Sequence, residues 1–245
     1  MSANWDSKHV QEYIKQEYGI EMTCSAIRAM LHRLGLSFTR PTYTLAKADA
    51  KAQEEFEEDL YWLLEMLEDP IINEEQYAVL FEDESHIRDY QALASTWQPV
   101  GKQKLIKTYG KHNYVGLFGA LDYKTGQIIA RVEEKLDAEA FKRHLESILK
   151  AYSGKHVYMV LDNAKIHYAT LIQEFLAQHT KEITLMFLPT YSPKLNRIEG
   201  FWKWLKGDVI CNVFFKSIKE VRKAVMEFVD WVLNRKDEVK ARLCF

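Results

Sequence analysis

Three carboxylates stand where the fold could gather them. Asp83 closes the run YAVLFED, Asp162 closes HVYMVLD, and Glu199 opens an amphipathic stretch just after LPTYSPKLN. The first two runs read as buried strands that end on an aspartate, and ligands of open α/β sheets collect outside the carboxyl ends of strands. Two such strands side by side bring the aspartates together. Like charges at close range are costly unless a cation neutralises them, and an oxygen-only donor set suits Mg²⁺ or Mn²⁺ rather than zinc. Cys24, Cys211 and Cys244 are scattered without metal spacing, and no HxxxH pair occurs. Singly, each acid has a plainer explanation: strand-end turns for Asp83 and for Asp162 with Asn163, and a variant capping box for Glu199 three residues after Asn196.

The elements that must position these acids follow from local pattern. Residues 8–18 carry Val10, Tyr13, Ile14 and Tyr18 at helical spacing, and Gly19 closes that helix. Thr23 or Ser25 caps a second helix with Ile27, Met30, Leu31 and Leu34 on one face, and Gly35 follows it. Two short helices around a turn fit a helix-turn-helix or a plain helical hairpin. Arg28, His32 and Arg33 on the second helix favour DNA, and LSFTRPTYTL could form a wing with Arg40 near the backbone. Residues 45–68 read as a long acidic helix, a solvated spacer. From residue 76 the rhythm changes to strands at YAVLFED, KQKLIKTYG, NYVGLFGALD and IIARVEE, an antiparallel meander with a turn at DYKTGQ. A helix at DAEAFKRHLESILKAY, the strand HVYMVLD, a helix near 168–178, the strand EITLMFLP, the Glu199 helix and a closing helix at 217–234 complete it. The fold class is mixed α/β, a sheet flanked by helices.

The net charge of −2 hides a segregation: +1 over residues 1–44, −9 over 45–75 and +6 over 76–245. A DNA-binding face therefore remains open outside the acidic stretch, because affinity depends on local charge at the phosphates. No apolar run approaches the roughly 20 residues of a membrane span, the N-terminus has no apolar signal core, and three unpaired cysteines fit a reducing cytoplasm.

The blocks EDES (82–85), LDNAKIH (161–167) and LPTYSPKLNRIEGFWKWLK (188–206) resemble the three catalytic blocks of mariner-like DDE transposases, in the bacterial insertion-sequence branch. The last block is the most specific, and the 36 residues between Asp162 and Glu199 suit that family's spacing. The resemblance covers residues 76–210 and, more loosely, the N-terminal helices. It implies a winged helix-turn-helix over 1–44, a connecting helix over 45–75 and a ribonuclease-H-like catalytic domain over 76–245. It also implies two Mg²⁺ or Mn²⁺ ions, about 3.5–4 Å apart, with Asp83 bridging them and Asp162 and Glu199 holding one each. Water then frees a 3′-hydroxyl at the element end, and that hydroxyl attacks target DNA. No ATP is involved, and no GxxxxGK[ST] loop is present. The implied partners are double-stranded DNA of the element ends and target, and a second copy of the chain on paired ends.

Two features depart from the family's pattern. Arg197 stands where the last block usually has proline, and members usually carry another helix-turn-helix before the one seen here. The expectation is a split element, a truncated copy or a short form, with a separate N-terminal recognition polypeptide as a candidate partner. Further candidate DNA contacts are Lys102, Lys104, Lys107 and Lys111, beside His112, on a basic hairpin edge. Asn163 and His167 of the second block, Tyr191, Ser192 and Lys206 join them, while Trp202 reads as core. Three rival readings stay open: a nuclease of the same fold without strand transfer, a non-catalytic DNA-binding remnant, and an α/β protein whose carboxylates are structural.

Overall fold

Asp6 starts the first helix by accepting the backbone N–H groups of Lys8 and His9, so α1 runs Ser7–Tyr18 and ends at Gly19, whose φ of 68° only glycine adopts without strain. Thr23 caps α2, Cys24–Arg33, through the N–H of Ala26. The helices pack on each other around Ile27, which is fully buried. The Gln11 amide donates to the Met22 carbonyl and accepts from the Cys24 thiol, which fixes the turn between them. In this computed structural model residues 5–39, 49–68, 76–89, 93–109, 113–190 and 192–244 are described. The expected wing over 36–45 falls mostly outside them, as do Arg40, Lys111, His112 and Tyr191. Two compact units divide the chain, Met1–Leu45 and Ala46–Phe245.

The second unit opens with α3, Ala50–Glu68, followed by a mixed sheet of β1 Tyr77–Arg88, β2 Tyr114–Asp122, β3 Ile128–Glu133, β4 His156–Leu161 and β5 Ile183–Phe187. The strand order is β3-β2-β1-β4-β5. The first three strands pair antiparallel, and β4 and β5 add to β1 in parallel. Crossovers α4, Ala138–Ala151, and α5, Thr170–Gln178, cover one face. The other face carries α3, α6 (Glu199–Leu205), α7 (Ile218–Leu233) and α8 (Lys236–Leu243). The period of 2 in β1 splits the core between the faces: Val79, Phe81 and Ile87 point to one, Ala78 and Leu80 to the other. Helix α4 shows the energetics, burying Phe141, Leu145, Ile148 and Leu149 along one stripe, each worth about 1.5–3 kcal/mol. Among the described residues no helix is long and apolar enough to cross a membrane.

Five expectations are corrected. The described part of KQKLIKTYG, residues 102–109, forms no strand: Leu105 is 86% exposed and the segment joins neither sheet edge, because Leu105 and Ile106 alone among lysines offer no apolar face to bury. Lys102, Lys104 and Lys107 are exposed there on irregular backbone, not on a hairpin. Strand β1 runs on past Asp83 to Arg88, because β2 continues to pair with it after β4 has stopped. Helix α3 is no free spacer, since Phe56, Leu60, Leu63 and Leu64 pack on the core. The chain does not close at 234 either: α8 follows, held by buried Val239 and Leu243 one turn apart, too sparse a stripe to read in advance.

Candidate active site

The parallel register sets the first two acids. Phe81 of β1 lies opposite Val160 of β4, the last pair of that ladder. Continuing it two residues places Asp83 beside Asp162, which follows the end of β4. The Asp162 carboxylate accepts the Ala164 N–H at 2.7 Å, so the chain turns sharply away from the sheet. Asn163 secures this turn by donating to the Leu188 carbonyl and accepting from the Tyr168 hydroxyl.

The third acid arrives through a short 3₁₀ turn, Pro193–Leu195, that leads into α6. Asn196 does not cap that helix. Its amide donates to the Glu82 carbonyl at 2.7 Å, a buried bond that ties the last block to β1. Glu199, the first residue of α6, then faces the same cleft as Asp83 and Asp162. The cleft holds about 340 Å³, and none of the described residues lining it is a cation. Burial, followed by the charges of Glu199 and Glu84, pushes the Asp83 carboxyl up to about 7.

Trp202 is both core and site. It is 1% exposed, and its indole N–H donates to Asp83 Oδ2 at 3.0 Å. The spacing i, i+3 from Glu199 put it on the right face, but no sequence signal named its partner. Gly119, opposite Asp83 on β2, makes room for the indole. A Cβ there would lie 2.6 and 2.9 Å from two Trp202 ring carbons and 3.0 Å from Ile198 Cδ1. Gly119→Ala is therefore expected to cost about 1–3 kcal/mol by overpacking and to move the indole off Asp83. Chemical denaturation together with tryptophan emission measures both, and an unchanged midpoint would refute the close fit.

Behind the cleft, on the opposite face of β1, lies a buried charged layer. His167 is fully buried, with Nδ1 3.0 Å from the Asp162 carbonyl and Nε2 3.2 Å from Glu84 Oε1. Glu82 Oε2 lies 3.9 Å from the same Nε2, and both Glu82 carboxylate oxygens are buried without a hydrogen-bond partner among the described residues. Burial, reinforced by Glu84, Asp83 and Asp162, pushes the Glu82 carboxyl well above its ordinary range. Burial pulls His167 down, but its hydrogen bond to Glu84 and the charges of Glu84 and Asp162 outweigh this and leave it raised. Donor atoms of Glu84, Asp162 and His167 all fall within 4.8 Å of one another, a group that could itself hold a cation.

The other candidates separate. Asn163 and Ser192 line the cleft, and the Ser192 hydroxyl accepts from Gln53 of α3. His167 is too buried to touch DNA. Lys206 begins a π turn, Lys206–Ile210, and does not line the cleft. Lys203, which sequence reasoning passed over, lies with Glu199 along an adjoining groove; its i, i+4 spacing was the available signal. Arg28 and Arg33 are exposed on α2, with the Arg28 Nε donating to the Cys24 carbonyl.

Known proteins place this geometry. Residues 2–60 match the family described as a winged helix-turn helix. A 39 kDa protein of insertion element IS630 from Shigella sonnei is 24% identical over 231 residues, 94% of this chain, and the chain spans 65% of that relative's length. The Mos1 mariner paired end complex with Mn superposes with a TM-score of 0.63 at 15% identity, covering 98% of this chain and 72% of that one. The Mos1 mariner catalytic domain superposes with a TM-score of 0.51 at 14% identity, covering 82% and 94%. The sheet and its helices are thus ribonuclease-H-like. Residues 78–222, which hold all three acids, match the DDE superfamily endonucleases, and the chain belongs to that family.

Proposed function

We propose that the protein is a DNA transposase that cuts element ends and joins the freed 3′-hydroxyl to target DNA through Asp83, Asp162 and Glu199. The observation that carries this reading is the convergence of three acids, from blocks far apart in sequence, on one cleft whose described lining has no cation to balance them. An all-carboxylate donor set beside a strongly raised Asp83 fits a hard divalent ion, Mg²⁺ or Mn²⁺, and two such ions are part of the proposal. When bound, they would stabilise the attacking and leaving oxygens of an in-line phosphoryl transfer. The chain's own part is to aim the acids. The Trp202 N–H orients Asp83, the Ala164 N–H holds Asp162, and Asn196 anchors the block that carries Glu199.

Double-stranded DNA is the proposed substrate, with α2 and its Arg28 and Arg33 contributing to end recognition, a second copy completing the complex on paired ends, and the cytoplasm as the place of action. The transposon-end complexes among the Mos1 neighbours support this reading. The test is cleavage and joining of labelled element-end DNA with Mg²⁺ or Mn²⁺, comparing the wild type with Asp162→Ala. Cleaved and joined products that fall by about 10³-fold or more in the variant, roughly 4 kcal/mol of barrier, are expected. Cleavage without joining would reduce the activity to that of a nuclease. Activity that survives in Asp162→Ala would remove the acid from the site.

A further inference from the structure

Beside the acidic cleft runs a second groove of opposite charge, about 480 Å³ in volume. Among the described residues, Lys194, Arg197, Lys203 and Arg242 line it against a single carboxylate, Glu199. Three separate segments supply the four cations: the 3₁₀ turn and the approach to α6, α6 itself, and α8. The grooves are continuous, because Pro193, Asn196 and Glu199 line both.

The charges are arranged for a partner. Lys194, Arg197 and Lys203 are exposed, and among the described residues none has an ion pair with a carboxylate. Arg242 is held in place, with its guanidinium 4.3 Å above the Trp204 ring and 2.9 Å from Glu238. Four neighbouring cations repel one another in the free protein, and a chain of regularly spaced anions relieves that repulsion while releasing its own counterions. Arg197, the position that departs from the proline of the resembled family, is one of the four. Helix α8, illegible in the sequence pattern, forms the far wall.

We infer that this groove binds the sugar-phosphate backbone of the DNA strand where it passes beside Glu199. The inference rests on the transposase reading only in taking the acidic cleft as the seat of the scissile phosphate. Lys203 and Glu199, one helical turn apart, mark the junction: on one side the phosphate that reacts, on the other the phosphates that hold the strand. Each direct phosphate contact contributes about 0.9 to the slope of log affinity against log salt.

The experiment measures fluorescence anisotropy of the full chain with a fluorescein-labelled duplex bearing a 3′ single-stranded tail, in EDTA, across a KCl series. The Arg197→Ala/Lys203→Ala double variant is compared with wild type and with Lys150→Ala, an exposed lysine on α4 away from both grooves. Circular dichroism checks that each variant is folded. The double variant is expected to lose about 2 units of salt slope and about tenfold or more in affinity at low salt, while Lys150→Ala follows the wild type. A double variant that matches Lys150→Ala in both quantities overturns the groove. If the wild type in that case still cuts DNA with Mn²⁺, the groove falls alone. If the slope loss appears but no wild-type cleavage does, the groove stands and the transposase reading falls. A wild type that does not bind the duplex overturns both.

Discussion

Asp83→Asn is expected to stop DNA cleavage and, in the same protein, to strengthen the metal-free fold at neutral and alkaline pH. The two effects share one cause. Asp83 is surrounded by burial, Glu199 and Glu84, which raise its carboxyl from an ordinary 3.8 to about 7. Between those values the native state holds a proton that the unfolded chain has released. The contribution of Asp83 to metal-free stability is therefore full below about pH 4 and is lost as the pH rises through about 7. Three pH units set a ceiling of about 4 kcal/mol. Asparagine carries no charge, and its carbonyl can still accept the Trp202 N–H that now reaches Asp83 Oδ2. In EDTA the variant should exceed the wild type by about 2–4 kcal/mol at pH 8 and match it at pH 4, as read by urea denaturation. Added Mg²⁺ should raise the wild type by about 2.7 kcal/mol at a hundredfold excess over its dissociation constant and leave the variant nearly unmoved. A wild type equally stable at pH 4 and pH 8 in EDTA would contradict the crowding of these acids. Cleavage should drop by about 10³-fold or more, since the acid proposed to hold metal loses its charge.

His167→Leu should be the most damaging single change in the layer behind the cleft. The ring is fully buried, packs 4.5 Å from Phe141 between centroids, and reaches both Glu84 and the Asp162 carbonyl. Leucine fills much of the volume but leaves Glu84 buried without its partner, a loss of about 3–5 kcal/mol for a broken buried pair. The pH dependence separates charge from packing. His167 is raised above its ordinary 6.5, so the stability from its charge is full below that value and is lost as the pH climbs through the raised one. The deficit of the variant against the wild type should accordingly be larger at pH 6 than at pH 9 in denaturation curves. A deficit of equal size at both pH values would assign His167 to packing alone. Cleavage should fall as well, because the turn that carries Asp162 loses one of its anchors.

Much of this molecule could be read from local pattern. Alternating or continuous apolar runs marked β1, β2, β3, β4 and β5, and capping residues marked the ends of α1 and α2, because both signals depend on neighbours in sequence. Asp162 and Glu199 stand just past the end of β4 and at the start of α6, as local pattern expects, whereas Asp83 lies inside β1. The failures were those of context. The lysine-rich 102–107 segment had a strand-like rhythm but no strand to pair with, and α8 is held by two apolar residues whose partners come from elsewhere in the fold.

The sequence by itself determined most of the elements and the α/β class, since strand and helix periods and caps are written over a few adjacent residues. Tertiary structure alone decided what the acids touch. The β1–β4 register brings Asp83 level with Asp162, Gly119 admits Trp202 to Asp83, and His167 joins Glu84 across 83 positions. It also decided that Arg242 of α8 joins Lys194, Arg197 and Lys203 in one groove with Glu199. Such contacts depend on register, the volume left at one backbone position and the packing of remote helices, quantities that no local stretch of residues contains.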